Sequence, residues 1–224
     1  MLSGYISMWR AASLLLGLFS IWVATASSVA VLDERMLTAH MVQHLLLMTI
    51  APPLIWLGMP GNVLTSAAVR WPLLRKFGKV VGNPTLCWLA ATAALVGWHA
   101  PAAFRLAMQS GEWHTIEQVS FLVAGLLFWW PVFQPSPRWS ILLYLFLATL
   151  PCDVLSGFLV FSGRIVYPVY LCIPRHPGLS VLEDQQCAGA LMWTVVTVAY
   201  VVAGTVFAAR LLGPHSNPEP VEVS

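Results

Sequence analysis

Charged residues are scarce in this sequence, where Asp, Glu, Lys and Arg together make up only 9% of the chain. A soluble domain carries about a quarter charged residues. The shortage excludes a water-facing surface over most of the molecule, and 58% of the residues are hydrophobic. Several apolar runs exceed the roughly 18 residues that mark a spanning helix. We therefore predict an all-α, polytopic membrane helix bundle whose solvent is the lipid bilayer.

Four further absences exclude particular classes of protein or site. The formal net charge is only +2, and no basic block interleaves with aromatic residues, so we expect no nucleic-acid partner. The apolar runs lack the alternation that a transmembrane barrel requires. The four cysteines form no CxxC motif, so their spacing alone assigns no metal site. We find no nucleophile with a base in reach of a substrate pocket, and therefore expect no enzyme activity.

The apolar runs define about six spans in one helix bundle over residues 1–212. The predicted spans cover residues 8–32, 36–57, 84–100, 113–133, 139–161 and 184–212, and Pro101 ends the third. The polar segment 213–224 contains Pro218 and Pro220 and is predicted to be a disordered tail. The first span could be a cleaved signal peptide, but its apolar stretch outlasts the ~7–15 residues of such a region. We therefore predict that it is a retained helix.

Positive charges are distributed unevenly between the two sides of this bundle. With six spans, seven Lys and Arg residues fall on one side and four on the other. The positive-inside rule then places both termini in the cytoplasm. The basic segment 69–81 is predicted to lie on the inner membrane surface. On the opposite, outer side, Cys172 and Cys187 either form a disulfide or remain free thiols.

Ionisable and sulfur-bearing residues gather in the outer half of five predicted spans. His40 and His44 lie four residues apart on one face of the second span, and Met48 continues that face with Met41 beside it. The other spans contribute a further group at the same depth: His99, His114, Glu117, Asp153, Asp184 and, two turns deeper, Met192. An ionisable group inside a span is costly and therefore indicates function by default.

This combination of side chains predicts a transition-metal site. Neutral imidazole binds copper, zinc or iron, and thioether favours copper(I). The predicted ligands are His40, His44, His99, His114, Met41 and Met48. The carboxylates of Glu117 and Asp153 are predicted to orient the imidazoles, and Cys152 is either a soft ligand or an inert buried cysteine.

Structural explanations exist for the same residues. His40 and His44 could form an interhelical hydrogen-bond pair, and the methionines could simply fill gaps in the core. Glu117 could pair with Arg105. Asp153 could lie at a kink near Pro151 that water satisfies.

Five longer motifs resemble the multi-span CtaG-type cytochrome c oxidase assembly factors. They are HMVQHLLLMTIAPPLIWLGMP at 40–60, WHAP at 98–101, the segment 114–131 ending in FWWP, LPCDVLSGF at 150–158 and EDQQCAGALMW at 183–193. By position, the resemblance points to His40, His44, His99, His114, Asp153 and Asp184. Gln118 stands where members of the family often carry a second histidine four residues after the first.

The resemblance implies a factor that assembles cytochrome c oxidase and handles copper, with oxidase subunits or another copper chaperone as partners. We therefore expect a membrane protein that holds or passes copper on the outer side. Two alternatives belong to other classes. Paired histidines on facing helices could bind haem in an electron-transfer protein. A permease for copper or protons would require polar residues that continue to the inner side, where the sequence has few.

Overall fold

The computed structural model describes residues 8–59, 83–134, 139–173 and 178–212, and all regular structure within these ranges is helical. The α-helices of the described residues are α1 (Met8–Ala26), α2 (Ser28–Leu32), α3 (Leu37–Leu45), α4 (Ala51–Gly58), α5 (Pro84–His99), α6 (Pro101–Gln109), α7 (Gly111–Trp129), α8 (Ser140–Phe161) and α9 (Val181–Leu212). A π-helical turn (Leu46–Ile50) joins α3 to α4, and 3₁₀ turns cover Trp130–Phe133 and Pro168–Leu171. The predicted surface segment 69–81 and tail 213–224 lie outside the described residues.

The prediction of about six spans in an all-α bundle is confirmed. In the described part of the chain, five helical stretches are long and apolar enough to cross a membrane: Met8–Leu32, Leu37–Gly58, Gly111–Phe133, Ser140–Phe161 and Val181–Leu212. Helices α5 and α6 pass the same test together, which brings the number to six if the pair counts as one span.

The third span does not simply end at Pro101. The chain bends by 74° between α5 and α6, because Ala100 is extended, the conformation favoured before proline. Proline is also favoured at the first position of a helix, so Pro101 begins α6. The sequence analysis predicted the break at Pro101 and missed the short helix after it.

The outward faces of the spans are apolar. On α8, Phe146, Leu150, Val154 and Phe158 follow one another at intervals of four residues, and their side chains are 46–75% exposed. Four-residue spacing keeps side chains on one helix face. A stripe of this kind suits contact with lipid, which satisfies no backbone polar group and therefore favours spanning helices.

Pro52 and Pro53 interrupt the backbone hydrogen bonding of the second span. Pro52 has no N–H to donate to the carbonyl of Met48, four residues earlier. The indole Nε1 of Trp129, on α7, donates to this carbonyl over 3.2 Å. The preceding turn is π-helical, and the N–H of Ala51 reaches the carbonyl of Leu46. The proline pair thus ties the second span to α7.

Candidate metal centre

The rings of four histidines form one continuous row. The centroids of His114 and His40 are 5.8 Å apart, those of His40 and His44 4.2 Å, and those of His44 and His99 5.7 Å. His40 and His44 lie on α3, His99 is the last residue of α5, and His114 is near the start of α7. The structure therefore brings together all four histidines, which the sequence placed in three different spans.

Two overlapping groups of three side chains have donor atoms within 4.8 Å of one another. His40, His44 and Glu117 form the first group, which we call the Glu117 triad. Asp33, His40 and His114 form the second, the Asp33 triad. His40 belongs to both triads, so the two groups share one imidazole.

The distances within the Glu117 triad fit a small metal ion. Glu117 Oε1 lies 3.6 Å from His40 Nε2 and 3.5 Å from His44 Nε2. Neighbouring ligands of a tetrahedral ion have about this separation when each lies ~2.0–2.2 Å from the metal. Arg105, the alternative partner of Glu117, is exposed, whereas Glu117 is fully buried.

The side-chain polar atoms of the Glu117 triad and of Asp33 are buried, and most of them have no hydrogen-bond partner among the residues that the structure describes. Asp33, His40 and Glu117 have no exposed surface, and His44 is 5% exposed. Within the described ranges, both side-chain polar atoms of His40, His44 and Glu117 lack a hydrogen-bond partner, and so does Oδ1 of Asp33. Oδ2 of Asp33 lies 3.1 Å from His114 Nε2. Leaving one such group unsatisfied costs about 1–3 kcal/mol, and more if it is charged. Such a concentration of free lone pairs on nitrogen and oxygen fits a bound cation, and imidazole with carboxylate suits copper, zinc or iron.

At one end of the row, His99 faces the sulfur of Met41. The Nδ1 of His99 lies 2.8 Å from the carbonyl oxygen of Leu95, and it can donate there only if it carries the proton. The Nε2 atom then presents a lone pair, and it lies 3.3 Å from Met41 Sδ. A thioether has no proton to donate. Two potential metal donors therefore face each other at this point.

At the other end, His114 is surrounded by polar atoms. Its Nε2 lies 3.1 Å from Asp33 Oδ2, 3.1 Å from Gln43 Oε1 and 3.2 Å from Gln118 Nε2. Gln43 Nε2 donates to the carbonyl of Ala24, which turns its oxygen toward His114. Gln118 thus contacts the same nitrogen of the His114 ring as Asp33 does, although it is not a member of the Asp33 triad.

Asp184 supports the site by capping the helix that carries His40 and His44. Its carboxylate accepts from the N–H of Leu37 over 2.8 Å and from the N–H of Thr38 over 3.1 Å. The Thr38 hydroxyl donates to the same carboxylate over 2.6 Å. These N–H groups belong to the first turn of α3, where no intrahelical acceptor exists and a negative charge is favoured by the helix dipole. Asp184 is therefore a positioning residue.

Asp153 and Met48 lie apart from the triads. Asp153 is on α8 and belongs to neither triad, and its buried Oδ1 lacks a hydrogen-bond partner among the described residues. Successive residues on a helix differ in direction by about 100°, so Asp153 does not share the orientation of Cys152, which lines a cavity beside the row together with Met48.

Residues 162–173, here called the covering loop, follow α8 and contact both ends of the row. The Tyr167 hydroxyl donates to the carbonyl of His99 over 2.9 Å, and the Tyr170 hydroxyl donates to the carbonyl of Asp33 over 3.0 Å. Burial raises the pKa of both phenols, with smaller contributions from Glu117 for Tyr167 and from Asp33 for Tyr170. Both tyrosines therefore remain protonated donors at neutral pH.

The sequence analysis missed four of these residues: Asp33, Gln43, Tyr167 and Tyr170. Asp33 follows the first predicted span, 8–32. The one available signal was a carboxylate directly after a long apolar run. Cys172 and Cys187 are free thiols in the structure, so they do not form the disulfide that the sequence left open.

Comparison with known families gives one match. The family described as the cytochrome c oxidase caa3 assembly factor matches residues 3–213, which confirms the resemblance seen in the motifs. No curated protein and no solved structure matches the chain.

Replacing Asp184 with alanine should destabilise the protein. The change removes the acceptor for the first turn of α3, and we expect a loss of about 2 kcal/mol, the sum expected for a cap and a buried charged hydrogen bond. Thermal unfolding of the detergent-purified protein measures it. Glu112→Ala is the control, since Glu112 is an exposed carboxylate in the first turn of α7. Equal unfolding midpoints for the two variants would contradict the capping role.

Proposed function

Because this chain belongs to the cytochrome c oxidase caa3 assembly factor family, we propose that it serves oxidase assembly by binding copper in its row of histidines. Copper is the cargo, and oxidase subunits or another copper chaperone are the partners that exchange it. The observation that carries the proposal is the set of buried imidazole and carboxylate atoms with no hydrogen-bond partner among the described residues.

The ligand chemistry favours copper over other ions. Carboxylate and imidazole together suit several transition metals, but thioether sulfur favours copper(I). The row offers both, since the Glu117 triad lies at its centre and the Met41 sulfur faces His99 at its end. Magnesium and calcium prefer sites built from oxygen ligands alone, which neither triad provides.

The shared His40 gives the row a means of passing its cargo. An ion in the Asp33 triad keeps the His40 imidazole as a ligand while it exchanges Asp33 and His114 for His44 and Glu117. Tyr167 and Tyr170 hold the covering loop against the backbone of His99 and Asp33. Their bonds link this loop to both ends of the row.

A polar pocket provides access to the row. It has a volume of about 500 Å³ and is lined by Glu34, Arg35, Met108 and His114 among others. The His114 side chain is 15% exposed, whereas Asp33 is fully buried. His114 is thus the point at which a partner could deliver or remove the ion.

The packing of the row disfavours the haem alternative. His44 stacks on Phe121 with 4.0 Å between centroids, and His40 lies 4.9 Å from Phe104. His40 and His44 are themselves in contact. No gap of the size of a porphyrin separates these rings, so the purified protein should lack a haem absorption band.

Copper binding should depend on the Glu117 triad. Glu117→Gln keeps the shape of the side chain but removes the anionic ligand, and we expect copper(I) affinity to fall by at least roughly tenfold, the lower end of losses on disturbing a metal site. His44→Ala should weaken binding further, because alanine has no donor atom whereas glutamine keeps an oxygen. Competition with a chromophoric copper(I) chelator measures both variants.

Glu112→Gln serves as the control for the charge change, because Glu112 is exposed and lies outside both triads. Its affinity should equal that of the wild type. Wild-type affinity in both Glu117→Gln and His44→Ala would remove the triad from the proposed function.

We further propose that the row lies on the outer side of the membrane, with both termini in the cytoplasm. The support is the excess of Lys and Arg on the side opposite the row. A phosphatase reporter, which is active only outside the cytoplasm, should be inactive when fused after Ser224 and active when inserted between Ser110 and Gly111. The reverse pattern would overturn this orientation.

A further inference from the structure

A cavity whose lining includes four sulfur-bearing side chains lies beside the histidine row, at the end away from His114. It has a volume of about 40 Å³ and is lined by Met41, Met48, Cys152 and Met192 together with His44 and His99. Neither His40 nor any carboxylate lines it. The cavity is therefore chemically different from both triads, although His44 belongs to the Glu117 triad and also lines the cavity wall.

The four sulfur-bearing side chains of the lining belong to three different spans. Met41 and Met48 come from the second span, Cys152 from α8 and Met192 from α9. Met41, Cys152 and Met192 are at most 3% exposed. Only eight methionines and four cysteines occur in the 224 residues, so three methionines and a cysteine around one small cavity are a concentration of soft donors. Gap filling by methionine does not account for the lone pair of His99 that faces Met41 at 3.3 Å.

The lining of the cavity favours a monovalent cation over a divalent one. A divalent cation buried among apolar groups needs anionic ligands to offset its cost of desolvation, and no carboxylate lines this cavity. A monovalent ion needs less compensation, and thioether with imidazole favours copper(I). The cavity is large enough for about one water molecule, which is also enough for a single ion.

We propose that this sulfur cavity is a second metal site, specific for a soft monovalent cation such as copper(I). His44 connects it to the Glu117 triad. Along the row, the ligands then change from carboxylate and imidazole in the two triads to imidazole and thioether in the sulfur cavity. An ion that enters at His114 therefore meets progressively softer donors and passes from site to site by ligand exchange, with no change of oxidation state.

The test uses silver(I), a monovalent ion with the same preference for sulfur that is not oxidised or reduced during the experiment. Silver K-edge X-ray absorption of the full chain in detergent should show sulfur neighbours around the bound ion. In the double variant Met192→Leu with Cys152→Ala, the sulfur signal should decrease, and silver affinity should fall by at least about tenfold, the lower end of losses on disturbing a metal site.

Two control variants make the outcome specific. Met59→Leu changes a half-buried methionine at the end of α4 that lines neither this cavity nor the access pocket, and it should leave silver binding unchanged. His40→Ala disables both triads and should leave the sulfur signal in place, so a failure of the proposed function is distinguishable from a failure of this site. Leucine conserves the volume of methionine well, so the fold should persist. Silver bound through nitrogen or oxygen alone, or unchanged binding in the double variant, would overturn the proposal.

Discussion

The burial of lone pairs without hydrogen-bond donors is the constraint around which this bundle is arranged. In a soluble protein, the atoms of His40, His44 and Glu117 could turn to water. Between spanning helices, water is scarce, and each uncompensated polar atom costs free energy. The bundle nevertheless holds Glu117 Oε1 only 3.6 Å from His40 Nε2 and 3.5 Å from His44 Nε2. A cation bound among them converts an unfavourable arrangement into a favourable one, and the remaining contacts serve to hold that arrangement.

Three contacts fix the helix that carries His40 and His44. Asp184 caps its first turn from α9, and Trp129 binds the carbonyl that Pro52 leaves free below the histidines. Gln43, between the two histidines in sequence, binds the carbonyl of Ala24 at the end of α1. The second span is thereby attached to three other helices, α1, α7 and α9. Such attachment keeps the imidazoles in place in the absence of an ion, which lowers the free-energy cost of ordering them when one binds.

Sequence patterns predicted the spans and the four histidines, but not which side chains touch. Helical periodicity places His40 and His44 on one face without saying which helix that face meets. Glu117 was predicted to orient imidazoles and does lie beside two of them. Asp184 was expected near the site, and its role as the cap of α3 required the packing of α9 against α3. Asp33, Tyr167 and Tyr170 were missed because they lie at a span end or in a loop, where burial depends on how the chain folds back over the bundle.

The most direct test of the central claim is anomalous diffraction from crystals of the protein grown with copper(I), recorded on both sides of the copper absorption edge. The account predicts a copper peak among His40 Nε2, His44 Nε2 and Glu117 Oε1. Ordered water alone in this position, with copper bound elsewhere or not at all, would contradict it.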